Sequence, residues 1–174
     1  SSSYLRNAVI PGLHLQTIFE FPNLLFGFGG DYKTLRPRLI TDENIATDET
    51  NSSFAGIIFG KFSLDDLSIK LHGTYGGNLN DLLMIGGYAV YEKDPITGIE
   101  KYTNLNMLSF WTDIAYGKKT EVGLFAGFAS NKGSDKEISA SYSRGLNIEY
   151  LYRISPRVIF NIDQFRIAGE VEYT

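Results

Sequence analysis

From Leu13 to Phe21 the chain alternates without a break. Leu13, Leu15, Thr17, Phe19 and Phe21 share one face, and His14, Gln16, Ile18 and Glu20 share the other. Successive side chains point to opposite sides only in an extended strand, so a period of two over this length commits the segment to β structure. The same period returns at Leu67 to Tyr75, Leu108 to Tyr116, Leu146 to Tyr152 and Phe165 to Tyr173. No convincing helical period accompanies these stretches. Repeated two-sided strands with no helix to cover them point to an antiparallel sheet closed on itself, with one face apolar and one polar.

Turn chemistry divides the rest of the chain. A strand over Leu24 to Leu35 follows the tight turn Pro22-Asn23, with Phe26, Phe28 and Tyr32 on one face and Gly27, Gly29, Asp31 and Lys33 on the other. The stretch Ile40 to Ser53, with Asp42, Glu43, Asp48 and Glu49, reads as a solvated loop. Strands are expected over Phe54 to Phe62 and Leu67 to Tyr75 around Ser63 to Asp66, and over Leu105 to Tyr116 and Glu121 to Phe128 around Gly117 to Thr120. Ser130 to Ser143 is polar and reads as a second long, mobile loop. The last strands are Leu146 to Tyr152 and Phe165 to Tyr173, with Arg153 to Pro156 as a turn and Arg157 to Phe160 as a short extra strand. Short turns and long loops then fall on opposite ends if Gly76 to Asn104 is one long connection. Within it, Leu82 to Tyr91 is too apolar for water and either folds into the mouth of the barrel or spans as a strand of its own. The single-connection reading is preferred.

The chain has 174 residues, enough for about eight to ten membrane-crossing strands. Its hydrophobic content of 43% fits a soluble domain as well as a barrel whose polar face dilutes its apolar one. A net charge of −4 gives no electrostatic case for nucleic acid, and the absence of cysteine excludes disulfides, thiolate zinc sites and cysteine nucleophiles. No apolar run approaches the roughly 20 residues of a spanning helix. The start Ser1-Ser2-Ser3-Tyr4 lacks a secretory signal, and the stop after Tyr173-Thr174 falls inside an alternating pattern, so the expectation is a mature or truncated form.

Two features favour a membrane barrel over a soluble one with its apolar face inward. The polar faces carry long charged side chains, Lys33, Lys61, Lys70, Glu149, Arg166, Glu170 and Glu172 among them. The apolar faces end in aromatic residues at Phe21, Tyr32, Phe62, Tyr75, Tyr116, Tyr152 and Tyr173, as the headgroup level of a membrane favours.

Other chemistry is weaker. His14 and His72 lie on separate strands, where a metal or triad site would need them together with a third group. Ser68 and Thr74 share a face with His72, a spacing common by chance. Gly27 to Gly30 lacks the helix and the Lys-Ser/Thr end of a phosphate loop. The acidic loop residues and the Lys118-Lys119 turn read as solvated. Neither catalysis, nor a metal, nor a cofactor is expected.

Several stretches carry a resemblance: Ile10 to Leu15, Gly29 to Leu39, Met84 to Ala89, Gly98 to Asn104, Tyr152 to Val158 and Glu170 to Thr174. Together they resemble outer-membrane porin-like proteins of the Bacteroidota type and, more remotely, DcaP-type trimeric porins. The resemblance implies that residues 1–174 are one region, the C-terminal part of a larger barrel, with a possible homotrimer. The expected fold is therefore an all-β, antiparallel up-and-down transmembrane β-barrel of the bacterial outer membrane, bounded by lipid and lipopolysaccharide. Its expected function is passive diffusion of small hydrophilic solutes or ions. Lys33, Lys70, His72, Asp113, Glu149, Arg166 and Glu170 are the candidate pore-lining residues, and their mixed signs predict weak ion selectivity. The alternatives are a non-conducting surface barrel whose loops bind a partner, and a soluble β-barrel carrier.

Overall fold

A computed structural model describes residues 7–145 and 147–174. They form ten strands and one short 3-10 turn, Leu79–Leu82. The strands are β1 (Leu13–Phe21), β2 (Leu24–Leu35), β3 (Asn51–Leu64), β4 (Leu67–Gly77), β5 (Gly86–Lys93), β6 (Glu100–Tyr116), β7 (Thr120–Gly133), β8 (Ala140–Arg144), β9 (Tyr150–Ile162) and β10 (Phe165–Glu170). All pairings are antiparallel, in the order β1-β2-β3-β4-β6-β7-β9-β10. The short β8 pairs only with β5, and β5 pairs with the first residues of β6.

Four tight turns, at 22–23, 65–66, 117–119 and 163–164, lie at one end of the strands. Asp65 and Asp163 take positive φ of 50° and 49°, a conformation that Asp tolerates better than branched residues do. The long connections all lie at the other end, so the alternation of short and long ends holds throughout. Residues 78–99 make one excursion: β4 and β6 are neighbours, and β5 stands off the main path. The apolar run Leu82 to Tyr91 is therefore not an independent wall strand. Gly86 to Val90 is buried between β6 and β8, which explains why its sequence does not alternate.

Three expectations need correction. Arg153 to Pro156 is not a turn, because β9 runs straight through it. The Pro156 carbonyl accepts the Val171 N–H at 3.1 Å, so its ring nitrogen faces the same side, where β10 has already ended. Proline's missing donor costs little there. The final strand stops at Glu170 rather than Tyr173, which returns to the sheet as an isolated bridge to Ile154. The expected strand start at Leu146 lies outside the described residues, and the ladder begins at Tyr150. The region Ser130 to Ser143 is partly strand, since β7 reaches Gly133 and β8 starts at Ala140.

The sheet is also open. β1 and β10 are its two edges and do not pair with each other, so the described residues do not close a barrel. Eight path strands would enclose an interior just wide enough for side chains. Here the polar face carries large side chains and, in addition, a folded segment: Leu79 and Ile85 pack on Met107 and Ala129 of that face, joined by Met84, Ile148 and Leu151.

Register makes the two faces continuous. Phe19, Phe26, Ile58, Leu71, Phe110, Leu124, Val158 and Ile167 belong to one face, and its large apolar side chains are exposed, Leu15 by 78% and Phe54 by 69%. The seven strand-end aromatics all fall on this face. Phe21, Phe62 and Tyr116 stand at the tight-turn end, and Tyr32, Tyr75, Tyr152 and Tyr173 stand toward the long connections.

Candidate functional site

The polar face is organised in three bands. Nearest the tight turns, Lys61, Lys70 and Asp113 stand opposite one another on β3, β4 and β6. Arg157 of β9 reaches across β7 and grips the Asp113 carboxylate with both ends of its guanidinium, at 2.5 and 2.9 Å. A planar fork matches a carboxylate in this two-bond geometry, which a lysine could not reproduce. The intervening strand must leave room, and Gly123 does so: a Cβ there would stand 2.7 Å from the Arg157 Cζ. Glu170 lies directly opposite Arg157, Arg166 is 3.6 Å from Glu121, and Arg153 pairs with Glu172 at 2.9 Å.

The middle band is aromatic. Phe59, His72 and Trp111 stand side by side on β3, β4 and β6, with Gly27 and Gly127 at either end of the row. The His72 and Trp111 rings are 5.4 Å apart and nearly parallel, and Phe125 tilts toward Trp111 at 5.9 Å. Phe59 lies over Gly27 and Phe125 over Gly127, where a Cβ would meet their rings at 2.5 and 3.0 Å. The glycines let these rings lie down on the sheet instead of standing off it.

The third band is the folded segment at the long-connection end. Lys33 is buried, and its ammonium donates to the Asn78 carbonyl and the Asp81 carboxylate. It therefore anchors residues 78–81 to β2. Beyond it, Arg38 meets Asp42 at 3.1 Å, the buried Glu100 at 3.3 Å and the Tyr142 hydroxyl at 3.0 Å, while Lys93 meets Asp42 at 3.2 Å and Glu100 at 3.6 Å. This network ties the β2–β3 connection to β5, β6 and β8. Hydrogen bonds from Arg38, then from Lys93, hold the Asp42 carboxyl below its usual range. A depressed carboxyl contributes stability above its unfolded pKa of about 3.9 and loses it as pH falls through the folded value. Pepsin cleavage within 36–50 is thus expected to rise only as pH drops below about 4. Asp42→Asn should show raised cleavage already at about pH 5, above that range. Equal cleavage of the two proteins across the range would count against the tie.

Of the seven candidate lining residues, Lys70, His72, Asp113, Arg166 and Glu170 lie on the polar face of the sheet. Asp113 is already neutralised by Arg157, and Lys33, on the same face, is buried against Asn78 and Asp81. Glu149 sits exposed, just before β9, with its carbonyl bonded to Asn131. His14 is 2.6 Å from Asp31 and is kept from His72 by two intervening strands. Thr74 Oγ1 is 3.4 Å from His72 Nδ1, but rings rather than a carboxylate flank that imidazole across the strands. Among the described residues no three His, Asp or Glu side chains gather as metal ligands. Arg157, Trp111 and Phe125 escaped the sequence reading. The alternation that put Asp113 on the polar face extends to Trp111, and it continues through Arg153, Ser155 and Arg157 once Pro156 is allowed within a strand. Comparison with protein-family models, curated proteins and solved structures finds no match to this chain.

Proposed function

We propose that this chain forms part of the wall of a transmembrane β-barrel in a bacterial outer membrane, which passes small hydrophilic solutes by diffusion. The observation that carries this reading is the division of the sheet into two continuous faces. One exposes aliphatic and aromatic side chains across eight strands, bordered by aromatics at both ends. The other holds charges paired across strands. Soluble monomers rarely expose an apolar patch beyond a few hundred Å². A soluble carrier barrel would also bury its apolar side chains and expose its polar ones, whereas here the apolar side chains are the exposed ones.

In this reading acyl chains and lipopolysaccharide cover the apolar face, part of which would meet neighbouring subunits in a trimer. The polar face lines the passage within a barrel larger than these strands alone. The resemblance to porin-like proteins of the Bacteroidota type, and remotely to the DcaP type, adds to the same reading. Charges of both signs, mostly in pairs, make the passage weakly selective.

The protein is expected to need detergent, to migrate as a heat-modifiable band, and to give conductance steps in planar bilayers. A heat-modifiable protein without any steps would instead favour the surface barrel with partner-binding loops. A protein soluble without detergent would end both membrane readings.

A further inference from the structure

On the polar face, Trp111, Phe125, Leu151 and Arg153 surround a hollow of about 210 Å³ that Gly127 also borders, with the Phe125 ring lying over that glycine. It is smaller than a pocket for a whole drug-sized ligand and has the scale of a single ring with its substituents. Trp111 and Phe125 are half-buried, unlike the fully packed Met107 and Ala129 higher on the same face. The stack continues to His72, so a flat apolar surface runs along the wall from the hollow. Arg153 closes one side. Its side chain is 47% exposed, and Glu172 engages only one end of a guanidinium that has five N–H donors.

Apolar rings laid flat along a charged wall hold water poorly, because they offer it no hydrogen bonds. A solute with one apolar ring face and polar groups at its rim can replace that water. Its face lies against the aromatics, while its rim meets Arg153 and Ser109, which also borders the hollow. We infer that the hollow beside Trp111 is a ring-stacking subsite for passing solutes built on a compact ring, either a pyranose sugar or a flat heteroaromatic such as a nucleoside. This rests on the reading of the polar face as the lining of a solute passage, and it names the class of solute that the passage retains.

Trp111 is the one tryptophan of this sequence and sits in the proposed subsite. The purified protein in detergent is titrated with maltotriose, adenosine and sorbitol, the last having hydroxyls but no ring, while tryptophan emission is followed. A saturable change is expected with at least one ring solute and not with sorbitol, and its disappearance in Trp111→Phe assigns the signal. Gly127→Val, which pushes the Phe125 ring off the sheet, and Phe125→Leu, which removes a stacking face, should each weaken binding roughly tenfold or more, the size of one lost stacking contact. A retained heat-modifiable band identifies variants that still fold. Which ring solute binds decides between sugar and heteroaromatic. No saturable change with either ring solute, an equal response to sorbitol, or unchanged affinity in both folded variants overturns the inference. A conducting protein that binds no ring solute refutes the subsite alone. A protein that binds ring solutes but never conducts refutes the passage alone.

Discussion

Gly123→Val is expected to separate Arg157 from Asp113 and to lower the stability of the sheet by about 3 kcal/mol, the cost of leaving a largely buried charge unpaired. The two side chains are only 17% and 15% exposed, so water does little to replace the lost partner. The Cβ alone would stand 2.7 to 2.9 Å from three guanidinium atoms, so the guanidinium must move off its place over residue 123. Gly169→Ala is the matched control, since nothing lies within 4 Å of the Cβ it introduces. The readout is the temperature at which the heat-modifiable band converts. An unchanged conversion temperature in Gly123→Val would mean that the pair does not hold β6 to β9. Asp113→Asn tests the same contact through its charge. It leaves Arg157 with Glu121 and Glu170 as remaining counter-charges and makes the polar face more positive. In bilayers under a salt gradient, the reversal potential should move toward anion preference. No movement would mean that these charges do not face the passage.

Lys33→Met is expected to release the folded segment at the long-connection end. The lysine stem is buried, and its ammonium is the link between β2 and residues 78–81. Methionine keeps most of the packing but strands the Asn78 carbonyl and the Asp81 carboxylate. Because Asp81 is about one-third exposed, the loss should be nearer 2 to 3 kcal/mol than the full cost of a buried orphan charge. Amide exchange over 79–85 should then speed up roughly thirty- to a hundred-and-fiftyfold, with little change in β3 and β4. Lys70→Met is the contrast, because Lys70 is exposed and bridges no connection to the wall. Exchange over 79–85 that stays at its original rate would show that apolar packing of Leu79 and Ile85 alone holds the segment.

The legible parts of this fold are those decided by neighbours along the chain. β1 and β2 begin and end where their alternation begins and ends, because each side is uniform and Pro22-Asn23 is unambiguous as a turn. β9 is less legible, because a proline within a strand is uncommon. Its alternation through Ile154, Pro156, Val158 and Phe160 was nevertheless intact. β5 and β8 carry no such signal. Gly86 to Val90 of β5 is buried throughout and so loses its alternation, while β8 is only five residues long and its partner β5 lies far back along the chain. The site followed the same division. The face of Lys33 is legible from its neighbours, but Asp81, which engages it, is 48 residues away. Asp113 likewise depends on Arg157, 44 residues on and two strands across.

By itself, the sequence determined that the chain is made of antiparallel strands, where most of them turn, and which residues share a face. Backbone geometry sends each successive side chain to the opposite side whatever lies next to the strand. Only the tertiary structure decided the rest. It set β5 and β8 off the main path, left β1 and β10 as open edges, seated rings and a guanidinium over glycines, and chose which charges neutralise each other. These outcomes depend on register. Register is fixed by contacts between strands remote in sequence, and a shift of one residue would turn every side chain to the other face.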